Sequence, residues 1–99
     1  MNRIEIPTKK TKIVCTIGPA SDSRSILEEL ISAGMNVARL NFAHGDKESH
    51  TRVIENIRAA SSSIGFPVAI MADLPGPKIR IGAIQDKSAV LKRDQRFSL

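Results

Sequence analysis

Three short apolar runs are separated by two stretches whose apolar residues return at helical spacing, and this alternation constrains the fold more than any other feature. The first run, Lys12 to Ile17, is β-branched and closes at Gly18-Pro19, the punctuation of a buried strand end. From Ser23 the pattern changes. Ile26, Leu27, Leu30 and Ile31 share one helical face, Ser21, Asp22 or Ser23 can cap its start, and Gly34 suits its C-terminal cap. Asn36 to Phe42 is a second compact apolar run about Arg39, ended by the turn-forming Gly45-Asp46. Asp46 can cap a second helix in which His50, Val53, Ile54, Ile57, Ser61 and Ile64 form one stripe before Gly65 terminates it. Pro67 to Ala72 reads as a third strand. Asp73-Leu74-Pro75-Gly76-Pro77 forbids its continuation, because neither proline can donate to a ladder.

The order β-α-β-α-β predicts an α/β fold with a parallel sheet and right-handed crossovers, and the near-continuous apolar strands predict that both sheet faces are covered. Two helices cannot cover both faces. A complete (β/α)8 TIM barrel takes about 250 residues, so these units would form an incomplete arc that needs more chain or another subunit. After Gly82 a polar link, Gln85-Asp86-Lys87, leads to the alternating segment Ser88 to Arg93 and to Phe97-Ser98-Leu99. That tail is expected to open a second, β-rich unit, giving the division 1–82 and 83–99.

The balance of 15 Lys and Arg against 10 Asp and Glu, net +5, suits phosphorylated small molecules and nucleic acid alike. Single-strand binders interleave basic residues with stacking aromatics, and three Phe with no Tyr or Trp disfavour nucleic acid. The basic cluster Lys9-Lys10-Lys12 reads as a solvated arm. No window approaches the roughly 18 consecutive apolar residues of a membrane span, and the polar start lacks a secretory core, so the expected location is cytoplasmic with no membrane partner. The lone Cys15, inside an apolar run, reads as a buried small hydrophobe.

Parallel strands all point one way, so the residues beyond their ends gather on one face. Those residues are Thr16 and Gly18-Pro19 after the first strand, Arg39, Asn41 and His44 at the second, and Asp73, Lys78 and Arg80 at the third. An arginine inside an apolar strand costs desolvation unless paired, so Arg39 either neutralises a neighbour such as Asp73 or meets an anionic ligand. Lys78 and Arg80 read either as an exposed edge or as groups held by the rigid Pro-Gly-Pro turn. His44 alone would be a turn residue, and Asp73 alone a cap or an arginine partner. No second carboxylate lies close enough in sequence to suggest a metal pair. Neither a Walker A pattern nor a Rossmann glycine fingerprint is present.

Three stretches, Thr11 to Ser21 (TKIVCTIGPAS), Gly34 to Gly45 (GMNVARLNFAHG) and Asp73 to Arg80 (DLPGPKIR), resemble the opening signatures of the pyruvate kinase family in order and spacing. The likeness covers about residues 11 to 82, and the tail resembles the start of that family's mobile β cap. The resemblance implies magnesium-dependent transfer of phosphate from phosphoenolpyruvate to ADP, giving pyruvate and ATP, on a barrel in a homo-oligomer that is tetrameric in complete members. It further implies that Arg39 contacts the transferred phosphoryl group and substrate. Asn41, Phe42, Ala43 and His44 then lie beside the nucleotide phosphates, Arg80 faces ATP, and Asn41 and Asp73 are ligands of a monovalent-cation site.

Three departures from the motif concern that cation. Ala43 and Leu74 stand where the family often has Ser and Thr, removing two oxygen ligands, and Lys78 stands where potassium-dependent members carry Glu. An ammonium near Asp73 can supply the positive charge internally, so potassium is not expected to be required. The family's catalytic lysine and magnesium carboxylates belong to later strands that no stretch here matches, so no catalytic residue is assigned and the 99 residues alone are expected to be inactive. The rival expectation is a non-catalytic truncated module that binds phosphate or a partner chain.

Overall fold

The computed structural model describes residues 9–98. Its regular elements are β1 (Val14–Thr16), α1 (Arg24–Ala33), β2 (Val37–Asn41), α2 (Lys47–Ile64) and β3 (Ala69–Asp73), followed by a short 3₁₀ turn at Gln85–Lys87. The strands form one parallel sheet in the order β1-β2-β3, with Thr16 opposite Arg39 and Asn41 opposite Asp73. Sequential parallel neighbours joined by right-handed crossovers place both helices on the same side.

The core is correspondingly one-sided. Ala38 and Leu40 of β2 are buried with Leu27 and Ile31 of α1 and with Val53, Ile57 and Ala60 of α2. Val37, Arg39 and Asn41, which alternate with them, lie on the other face and remain half-exposed. Helix boundaries obey local chemistry. α1 and α2 end at Gly34 and Gly65, both left-handed, whose amides donate to carbonyls of the last turn. α2 opens on a capping box in which Asp46 accepts from the Ser49 amide (2.8 Å) and Ser49 answers at the Asp46 amide (3.1 Å). Ser23 occupies the N-cap of α1 without a side-chain cap bond.

The sheet is covered on one face only, with Val14 at 49% and Met71 at 44% exposure on the other, because the only helices among the described residues lie on a single side. The tail forms no strand among the described residues, and Val90 and Leu91 stay exposed, since no neighbouring strand satisfies their backbone. Every residue from Leu74 to Ser98 is exposed. The radius of gyration is therefore 18.7 Å, against about 13 Å for a compact chain of this length.

Candidate active-site rim

The C-terminal ends of the three strands converge. Arg39 lies at the centre of the sheet, and its guanidinium donates through Nη1 to Thr16 Oγ1 of β1 (3.0 Å) and through Nη2 to Asp73 Oδ2 of β3. Three adjacent strands thus each contribute one member of a polar clamp on the open face of the sheet. Of the two options that the sequence left for Arg39, the pairing with Asp73 is present. A guanidinium carries five N–H donors, so donors remain for an anion.

One cavity of about 210 Å³ is lined by Arg39, Asn41, Ala43, His44, Asp73, Lys78 and Arg80. Of the strand-end residues singled out from sequence, these seven share one depression, while Phe42 is outside its lining and Thr16, Gly18 and Pro19 line a neighbouring cavity. Arg39, Lys78 and Arg80 set three cations against the single carboxylate of Asp73, a balance that favours an anionic ligand. Among the described residues neither Lys78 nor Arg80 forms an ion pair; the Asp73 carboxylate is taken by Arg39 instead.

Asn41 organises the loop that leaves β2. Its side-chain Oδ1 accepts from the Ala43 amide (3.1 Å), and its carbonyl accepts from the His44 amide (3.3 Å). The Phe42 amide donates to the Asp73 carbonyl (3.0 Å), continuing the β2–β3 ladder one residue past the strand. A second, larger cavity of about 430 Å³ adjoins the first across Asn41 and His44; Thr16, Pro19, Asp22, Ser49, His50 and Arg52 are among its other lining residues. Sequence reasoning missed Asp22, Ser49, His50 and Arg52. The signal that could have found them is their position at or near the starts of helices that come after strands, where side chains reach back over the strand ends.

No group of three or more His, Cys, Asp or Glu among the described residues is placed to hold a metal ion. Of the two residues expected at a monovalent-cation site, Asn41 accepts through Oδ1 from the Ala43 amide and Asp73 through Oδ2 from Arg39. Ala43 and Leu74 bring no side-chain oxygen.

Residues 8–99 match the family described as pyruvate kinase, barrel domain. This chain belongs to the pyruvate kinase family. It is similar to a pyruvate kinase of Staphylococcus saprophyticus (58% identical over 91 residues, 92% of this chain and 16% of the relative). It also resembles a pyruvate kinase of Thermococcus litoralis (44% over 96 residues, 97% and 20%). A cytosolic pyruvate kinase isozyme of Nicotiana tabacum is 46% identical over 100 residues, covering 100% of this chain and 20% of that protein. The chain thus spans a fifth or less of the length of these relatives.

Proposed function

We propose that residues 1–82 form the first arc of a (β/α)8 barrel, that 83–99 begin a β cap, and that the arc supplies one rim of a pyruvate kinase site moving phosphate from phosphoenolpyruvate to ADP. The observation that carries this reading is the clamp on Arg39, fixed from β1 and β3 inside a cavity of excess positive charge. Phosphoryl transfer demands little covalent work from protein side chains and much positioning and neutralisation of phosphate oxygens. In this reading the free donors of Arg39 hold the transferred phosphoryl group, the loop Asn41, Phe42, Ala43, His44 lies along the nucleotide phosphates, and Arg80 faces ATP across the cavity.

Magnesium, when bound, neutralises phosphate oxygens. Its ligands, and the catalytic residues, are assigned to sequence outside these 99 residues. Asn41 and Asp73 are what remains of a monovalent-cation site, and the Arg39 guanidinium against Asp73, with the Lys78 ammonium in the same cavity, supplies the charge that potassium would. Potassium is therefore not required. The complete protein is a cytoplasmic homo-oligomer in this reading, and the 99 residues alone form no ATP.

Residues 9–98 grafted in place of the matching segment of the Staphylococcus saprophyticus pyruvate kinase test the proposal. The graft is expected to form ATP from phosphoenolpyruvate and ADP equally well with and without potassium, and Arg39→Lys in it to lower kcat/KM at least about a hundredfold, the scale of a lost transition-state anion contact. A folded graft without activity would sink the proposed function, and strong activation by potassium would sink the cation assignment.

A further inference from the structure

His50 belongs by sequence pattern to the apolar stripe of α2, yet its ring does not join the core. It lies half-buried at the fourth residue of the helix, on the side of the β2–α2 loop. Its Nε2 is 2.7 Å from the carbonyl oxygen of His44, six residues back. A carbonyl only accepts, so Nε2 carries the proton and donates. The same ring meets Phe42 edge-to-face, with centroids 4.5 Å apart and planes at 84°. One imidazole therefore grips the loop at two points, a backbone oxygen and an aromatic face.

Other contacts hold the loop's two ends. Asn41 secures the amides of Ala43 and His44, and the Asp46–Ser49 capping box secures the junction with α2. The His44 carbonyl, at the middle of the turn, is held by His50. Gly45 makes this geometry possible twice over. Its φ of +82° is a conformation that side chains rarely adopt, and a Cβ there would stand 3.0 Å from Ser49 Oγ and 3.2 Å from His50 Nε2. The residue that turns the chain is also the one small enough to admit the ring.

We propose that His50 is a positioning residue that fixes the conformation of the Asn41–Gly45 loop, and with it the edge that the loop presents to nucleotide phosphates. The consequence for ligand binding rests on the function proposed above; the consequence for loop order does not. His50→Gln keeps a side-chain N–H donor, whereas His50→Phe keeps the aromatic edge and loses the donor.

In the 99-residue chain, amide hydrogen exchange at Ala43 and His44, whose N–H groups donate to Asn41, is expected to speed up about tenfold in His50→Phe and to stay within about twofold of the parent in His50→Gln, with Ala38 and Leu40 unchanged in both. In the grafted enzyme, the KM for ADP is expected to rise about tenfold in His50→Phe and to recover in His50→Gln, with kcat nearly constant. Equal exchange at Ala43 and His44 in the parent and His50→Phe overturns the proposal, as does a His50 ring that nitrogen NMR shows protonated on Nδ1 alone. If His50→Phe does not fold, Gly45→Ala reads the same contact: its Cβ, 3.2 Å from His50 Nε2, is expected to push the ring off the His44 carbonyl, and unchanged protection of the His44 amide also overturns the proposal. A parent graft that is inactive counts against the function reading, while the exchange measurements still decide the role of His50.

Discussion

Large apolar side chains in residues 9–73 and in residues 74–98 have opposite fates. Leu27, Leu40 and Ile57 in the first region are 0–1% exposed, whereas Ile79, Val90 and Phe97 in the second are 60–106% exposed. Both regions carry large apolar side chains, and what differs is whether a partner covers them. In the first, each of the first two strands leads into a helix whose apolar stripe returns over the sheet, so burial is achieved among neighbours in sequence. In the second, Pro75 and Pro77 end the ladder, and no later element among the described residues returns to pair with the segment beyond them. The candidate site lies at the seam: Arg39 and Asn41 come from the packed region, and Lys78 and Arg80 reach the same cavity from the exposed one.

A truncation series is the most direct way to break this contrast. Leu40→Ala should cost about 2–5 kcal/mol, because Leu40 is fully enclosed and its removal leaves a cavity. Against a total stability of about 5–15 kcal/mol, that loss is severe. Met71→Ala, on the open face of the same sheet, should cost clearly less, and Ile79→Ala should stay within about 0.5 kcal/mol of the parent. Urea denaturation of the three variants decides the matter. A loss at Ile79 comparable to that at Leu40 would mean that the second region packs in solution, and the contrast would fall.

Most of the packed region is readable from the sequence because local rules and burial agree there. The caps at Asp46 and Gly65, the stripe of Val53 and Ile57, and the strand about Arg39 all announce themselves by spacing. The site is readable for the same reason: parallel strands oblige the residues at their ends to meet at one edge. What the sequence leaves open depends on absent or non-local partners. Apolar runs such as Ala69 to Ala72 signal two covered faces, but coverage is a property of the elements that pack above them, and only one face has helices. Residues 88–93 alternate as an edge strand would, yet alternation without a neighbour forms no ladder. His50 escapes because a stripe position near a helix start can point to the loop as easily as to the core.

The clamp at the seam offers a smaller effect. Arg39 and Asp73 side chains are 31% and 46% exposed, so their pairing should contribute only about 0.2–1 kcal/mol to stability. Asp73→Asn is therefore expected to lower stability by no more than that. If the packed region holds the clamp for binding rather than for folding, the same change should alter phosphate affinity several-fold, by freeing the guanidinium from its carboxylate. Phosphate titration monitored by NMR at Thr16 and Arg39, beside a urea melt, separates the two roles. A large stability loss with unchanged phosphate affinity would recast the pair as structural.

The smallest expected effect concerns acid. The Asp46 carboxyl is held below its ordinary value, first by the Ser49 amide that it accepts from, then by the Ser49 hydroxyl, with a lesser contribution from the charge on His50. Desolvation opposes the shift. A carboxyl with a lowered folded-state pKa contributes stability above the unfolded value, and that contribution is lost as pH falls through the folded one. The start of α2 should therefore loosen below about pH 4, where unfolded aspartate begins to take up its proton. Asp46→Asn should flatten this acid limb while keeping the helix at neutral pH, because asparagine caps about as well as aspartate and does not titrate. Far-UV circular dichroism across the acid range, compared between parent and variant, reads the difference. Identical acid limbs would mean that the capping box does not hold in solution, and the loop it closes would lose one of its three anchors.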